Sequence, residues 1–423
     1  MDFVVRKGDQ LFLGDEPFRF ISFNAPDLHV MEDESWHRAS LWEQEDALRT
    51  IARMGGQVVR IYPMSIVGGL NNGSYTHVLG KGVYNEALFR DLDQLLVVAG
   101  QSNVRVIIPF IDHWEWWGGI PQFTKLYNAP FGDFYRSAEV KKGFKDLVKH
   151  LLLRRNTLTG RLYRDDPAIL AWESGNELNY EDKEADRLSL PLPSRGEMDG
   201  WMSELATYIK ELDPNHLVID GRLLNNRDVS KVQLEDPHID LISDHFYPNT
   251  AFAFEERLAH MVSFTKGHKP FLVGEFGLVA PITVDDLAKR VIAEPAVAGA
   301  LLWSLRSHNV KGGFYWHYEY DNYWAYHYPG KKTCPSPYPS LHFSLFRRER
   351  NHLSVCALFF QSFTHHQSLS LLSLPSSTPY PNTQASIPTP SAAKKKSWPS
   401  WRSTPTASKA CPFPPRPCRA AQR

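Results

Sequence analysis

The sequence predicts an α/β protein: a (β/α)8 TIM barrel with an N-terminal β-hairpin and a disordered C-terminal tail. Three observations carry this. Eight apolar, β-branched runs alternate with helical patterns over the first 330 of 423 residues, which suits one large barrel. The runs end in polar or aromatic groups, as strands opening onto a barrel mouth would. No Gly-rich phosphate loop follows the first run, where Ser22-Phe23-Asn24-Ala25-Pro26 stands, so a doubly wound nucleotide-binding sheet is the weaker alternative.

Residues 3–18 read as a hairpin turning at Gly14-Asp15, a lid across the barrel bottom. Buried parallel strands are expected at 18–23, 57–62, 104–110, 169–173, 217–220, 239–243, 271–274 and 298–303, because strands covered on both faces read as continuous apolar runs. Helical spacing marks 85–101, 140–154, 198–212 and 284–293. Asp166-Pro167 and Asp213-Pro214 punctuate the entries to the strands that follow them.

Residues 331–423 have a different character. They hold 14 of the 30 prolines, none of the 26 glycines, and 13 Lys/Arg against one acid, Glu349. Residues 1–330 therefore carry 34 basic and 46 acidic groups, a balance of −12 hidden by the overall net charge of zero. The segment reads either as a disordered basic extension or as a gene-model artefact left by a read-through intron or frameshift. An acidic body argues against nucleic acid as a partner. All four cysteines lie in the tail, so the body is expected to fold without disulfides. No segment resembles a membrane span, and Met-Asp-Phe-Val-Val-Arg-Lys-Gly lacks the apolar core of a signal peptide. The expectation is an intracellular protein or a start that lies upstream.

The chemistry is concentrated at the strand ends. Glu177 closes Ala-Ile-Leu-Ala-Trp-Glu-Ser-Gly-Asn-Glu and Glu275 lies in Phe-Leu-Val-Gly-Glu-Phe-Gly. A carboxylate beside an apolar run is costly unless paired or used. Two of them suggest a site needing one carboxylic acid and one carboxylate, as glycosidic cleavage does. In chain order the other strand ends offer Asn24, Arg60, Asp112-His113, Asn176, His245 with Tyr247, and Trp303.

Each has a plainer reading. Arg60 alone suits a structural ion pair, His245 a satisfied core histidine, and Trp303 ordinary core. His113 is evenly balanced between a loop hydrogen bond and the site. Trp114 and Trp116, like the run from Phe314 to Tyr328, are either loop packing or sugar-binding surfaces. The histidines near 308–327 lack metal-ligand spacing, so no metal and no cofactor is expected.

Taken together, Val-Val-Arg60-Ile-Tyr, Asn176-Glu177, His245-Phe246-Tyr247-Pro248, Gly274-Glu275-Phe276-Gly277 and Leu-Leu-Trp303-Ser resemble glycoside hydrolase family 5, retaining enzymes of clan A. Within it the body is most similar to endo-β-1,4-mannanases. The opening stretch, Trp117-Gly118-Gly119-Ile120-Pro121-Gln122-Phe123 and Arg155-Asn156-Thr157-Leu158-Thr159-Gly160 carry that likeness. His113-Trp114-Glu115-Trp116 and the Glu173-Ser174-Gly175 lead into Asn-Glu depart from it.

The resemblance implies cleavage of β-1,4-mannosidic bonds by double displacement, with Glu177 as acid/base and Glu275 as nucleophile. Glu177 is then expected to stay protonated through desolvation and the neighbouring anion, while Arg60 holds Glu275 ionised. Tyr247 is expected to donate to Glu275, Asn176 to bind the 2-hydroxyl, His245 to position Tyr247 or the acid, and Trp303 to lie under the sugar. A monomer is expected, with a polysaccharide or oligosaccharide substrate, no nucleic acid and no membrane partner; the family likeness points to secretion. A β-glucanase or exo-β-mannosidase of the same fold stays open. So do a non-catalytic carbohydrate-binding pseudoenzyme and a chain damaged at its C-terminus.

Overall fold

The computed structural model describes residues 1–327 apart from 33–35, 70–72, 180–191, 225–226, 248–249, 316, 320–321 and 324. The tail reading for 331–423 lies outside the described residues.

Eight parallel strands close into a barrel: β1 (Phe20–Asn24), β2 (Val58–Arg60), β3 (Arg105–Pro109), β4 (Ile169–Glu173), β5 (Leu217–Asp220), β6 (Leu241–His245), β7 (Phe271–Gly277) and β8 (Val297–Trp303). Each expected run overlaps one strand, and those for β4 and β5 coincide with them. The last strands run further toward the mouth than apolar content suggests, because β6 continues through Asp244-His245 and β7 through Glu275-Phe276-Gly277.

Helices pack outside the barrel wherever apolar spacing meets a capping residue. Ser40 and Glu43 form a capping box that starts the helix Leu41–Arg53 and turns Ala47, Leu48 and Ile51 inward. Ser137 caps Ala138–Leu152, whose Val140, Phe144, Leu147 and Leu151 repeat at helical spacing on one buried face. Ser194 and Glu197 start Arg195–Leu212, which stops at Asp213 just before Pro214. Glu86–Ser102, Ala251–Thr265 and Pro281–Ala293 complete the main outer layer. None of the described helices is long and apolar enough to cross a membrane.

The N-terminal hairpin is in fact a three-stranded antiparallel sheet of Val4–Lys7, Gln10–Leu13 and Glu16–Pro17. It has two tight turns rather than the single expected one. Gly8-Asp9 makes the first and Gly14-Asp15 the second, and both glycines take positive φ, 65° and 63°. The sheet does close the barrel bottom. Val4, Leu11 and Phe18 join an apolar cluster with Ile107, Leu217 and Leu301 from inside the barrel. Each such buried side chain contributes about 1.5–3 kcal/mol.

Candidate active site

Arg60, at the end of β2, is 2 % exposed and organises the barrel mouth. Its Nε donates to Glu173 Oε2 at 2.6 Å and Nη2 to Glu173 Oε1 at 3.1 Å. Nη1 donates to Glu275 Oε1 at 2.9 Å and Asn24 Oδ1 at 3.3 Å. Nη2 also donates to Asn176 Oδ1 at 2.8 Å. All five guanidinium N–H groups are thus used, a fork that lysine could not reproduce. Burial opposes the Arg60 charge, but Glu173 and Glu275 outweigh it and raise its pKa. Glu173 is a site residue that the sequence did not single out, although it closes the apolar strand β4. Asn24 is a further member, tied by its Nδ2 to the carbonyls of Gly274 and Leu301 on β7 and β8.

Glu275 lies within β7, where the register slips on both sides of the mouth: between Asp244 and His245, and between Val273 and Phe276. Such irregularities re-aim side chains. Tyr247 donates its hydroxyl to Glu275 Oε2, and His245 Nδ1 lies 3.5 Å from the same oxygen. Gly274 makes this close approach possible. A Cβ there would sit 2.7 Å from His245 Nε2 and 2.5 Å from Ser243 Oγ.

Glu177 follows β4. Beyond Glu173 the backbone keeps its ladder, with Asn176 N–H bonding Ile111 O at 2.7 Å and Leu178 N–H bonding Gly221 O at 3.1 Å. Gly221 passes Gly175 so closely that a Cβ on it would meet Gly175 O at 1.9 Å, which accounts for the Ser174-Gly175 lead. Glu177 itself has φ of 53°, a left-handed conformation that is strained for a side-chain-bearing residue. Its Oε1 lies 2.9 Å from His245 Nδ1, and its Oε2 accepts from Trp114 Nε1 at 2.7 Å. One oxygen of Glu177, one of Glu275 and a nitrogen of His245 lie within 4.8 Å of one another. His245 thus contacts the expected acid, Glu177, and Glu275 as well.

The electrostatics reverse the expected order of the two acids. Burial pushes Glu177 up, but the hydrogen bond and charge of His245, the Trp114 N–H and Arg60 together bring it below the usual carboxylate range. Burial raises Glu275, with His245, Arg60 and Tyr247 only partly offsetting it and the Glu177 charge adding to it. His245 faces both: burial disfavours its charge, yet Glu275 and Glu177 raise its pKa. Because Glu177 and His245 are hydrogen-bonded, their titration belongs to the pair.

Around this centre, Asp112 Oδ1 accepts from Asn176 Nδ2 at 3.0 Å and from the Trp114 N–H at 3.3 Å. Burial pushes the Asp112 carboxyl up to about 7 against those hydrogen bonds. His113 belongs to the supporting loop: its N–H bonds Asn176 O, its Nδ1 accepts from the Asn179 N–H, and its ring meets Trp114 and Phe131 edge-on. Trp116 is half-buried against Tyr62 and Trp117. Trp303 is 8 % exposed, with Tyr62 and His317 at its ring. Beside it stands Glu32, which no sequence pattern marks as a site residue. Its Oε1 accepts from Tyr62 at 2.6 Å and Arg306 at 3.2 Å, with His317 Nδ1 at 3.3 Å. In the aromatic run, Phe314 stacks with His308 and His327, and Tyr315 donates to Glu43. Both pack the loop. Trp316 and Tyr328 lie outside the described residues.

Glu177, His245 and Glu275 have the spacing of a metal-ligand set. Their facing atoms are already committed to one another and to Arg60, however, and a second cation beside the Arg60 guanidinium would be repelled.

The barrel recurs in solved structures. An endo-1,4-β-mannanase from Rhizomucor miehei superposes with a TM-score of 0.60 at 22 % identity, over 72 % of this chain and 91 % of that one. An endo-β-1,4-mannanase from Thermotoga petrophila gives 0.60 at 24 %, over 73 % of each. At the sequence level, the glycoside hydrolase family 5 β-mannosidase-like model matches residues 1–268, and the chain belongs to that family. Among curated relatives, mannan endo-1,4-β-mannosidase 1 of Arabidopsis thaliana is 29 % identical over 74 % of this chain and 81 % of its own. Mannan endo-1,4-β-mannosidase 2 of Oryza sativa subsp. japonica is 28 % identical over 81 % and 82 %.

Proposed function

We propose that the protein hydrolyses internal β-1,4-mannosidic bonds of mannan-type polysaccharides with retention at the anomeric carbon. The supporting observation is the spacing of the two glutamates. Oxygens of Glu177 and Glu275 lie within 4.8 Å, close to the separation of about 5–5.5 Å that suits double displacement and below the roughly 6.5–9.5 Å that admits a water between the acids.

In the first step a Glu275 oxygen forms a bond to the anomeric carbon as the glycosidic bond breaks. Glu177 passes its proton to the departing oxygen, leaving a glycosyl ester on Glu275. In the second, Glu177 takes a proton from water, whose oxygen attacks the same carbon and releases Glu275. Arg60 and Tyr247 hold Glu275 by both oxygens, so it is aimed before substrate arrives. Asn176 is fixed by Arg60 and Asp112 and keeps its second Nδ2 hydrogen for the sugar's 2-hydroxyl. Trp303 offers a flat apolar face at the cleavage point. Mannan as substrate rests on the names of the relatives.

The test is Glu275→Gln assayed on galactomannan. Activity should fall by at least about a thousandfold, as for loss of a nucleophile, with folding intact. Product analysis on mannan, glucan and xylan oligosaccharides checks the substrate. Mannose as sole product would replace the endo reading by exo, and cleavage of glucan alone would replace the sugar.

A further inference from the structure

Both oxygens of Glu177 are engaged by protein groups, Oε1 by His245 Nδ1 at 2.9 Å and Oε2 by Trp114 Nε1 at 2.7 Å. A general acid must carry its proton on one oxygen and aim it at the leaving group. One donor therefore has to withdraw, and the two differ in their freedom to do so. His245 is buried at the end of β6 with its ring against Gly274. Trp114 is 40 % exposed on the bend after β3, and its ring meets the edge of His113.

We propose that Trp114 is a positioning residue for proton donation: its indole N–H caps Glu177 Oε2 while the site is empty, and a leaving-group sugar docking on the exposed indole draws it away. This rests on the hydrolase reading above and deepens it. The substrate's own aglycone then exposes the oxygen that must protonate it. An N–H donated to a carboxylate favours the charged form, so the cap keeps Glu177 ionised until a sugar is present. The other groups facing Glu177 are His245 from β6, Glu275 from β7, Arg60 from β2 and Asp112 after β3. All are retained when the indole is changed.

The experiment compares wild type with Trp114→Phe, which keeps the ring and removes the donor. kcat/KM is followed against pH on mannohexaose and on 2,4-dinitrophenyl β-mannobioside, whose phenol leaves without help from an acid. The alkaline limb for mannohexaose reports loss of the acid's proton from the Glu177–His245 pair. Removing a donor to the carboxylate raises that pKa, so the limb should move up by about one pH unit. The dinitrophenyl substrate should keep its kcat/KM within about threefold, since that ratio covers the steps only as far as departure of the phenol, which needs no proton. An unmoved limb overturns the proposal, and so does a uniform loss of rate on both substrates, which marks a merely structural role. A wild type inactive on both removes the hydrolase reading and the proposal with it.

Discussion

At the bottom of the barrel, Val4, Leu11 and Phe18 from the N-terminal segment complete an apolar plug, with Arg105 packed over the Phe18 ring. At the top, Arg60, Glu173, Glu275 and His245 are buried almost as completely, and each is held by hydrogen bonds and opposite charge. The bottom gains stability from burial and asks little of geometry. The top removes charges from water, which isolated groups could not sustain, and recovers the loss only through a complete set of partners. A scaffold that invested in both ends alike would have no reason for the Arg60 network, since well-packed apolar side chains do as well or better for stability.

Breaking the top should have the larger effect. Arg60→Met leaves Glu173 and Glu275 facing each other without their cation, and should cost about 3–5 kcal/mol in chemical denaturation. Part of this should return at acid pH, where the stranded carboxylates protonate. Activity should fall below detection. At the bottom, Leu11→Ala should cost about 2–4 kcal/mol by cavity formation and leave kcat/KM unchanged at temperatures where the variant is folded. Loss of activity in that folded variant would show the two ends to be coupled.

The smallest effect sharpens the contrast by pH. The folded-state pKa of Asp112 is raised to about 7, so its contribution to stability is full below about 4 and is lost as pH rises through about 7. Asp112→Asn cannot ionise and still accepts from Asn176. Its thermal midpoint should therefore match wild type near pH 4 and exceed it near pH 8, by a difference on the order of 1–2 kcal/mol. Equal midpoints across that range would mean that Asp112 stays charged in the fold.

The barrel was legible because strands covered on both faces are apolar nearly throughout, and runs such as 169–173 and 217–220 are apolar up to a single acid at the mouth end. The helix Leu41–Arg53 was less visible in apolar spacing, although Ser40 and Glu43 supply a capping box. In the site, Arg60 and the two glutamates could be read as charges needing company, but partner choice could not. Sequence distance hides that Arg60 reaches Glu173, 113 residues away, with two of its N–H groups. The reversed acid order was equally hidden, because it depends on His245 Nδ1 sitting between two oxygens, and only the register slips at the ends of β6 and β7 bring it there.

The saturation of Arg60 also bears on how such a site changes over generations. On the proposed reading, every N–H of that guanidinium is spent on the protein itself, and none is left to recognise a particular sugar. The reactive centre is thereby insulated from selection on diet. A lineage can exchange one polysaccharide for another by redrawing Trp116 and the loops beyond the strand ends, and inherit the bond-breaking machinery without revision.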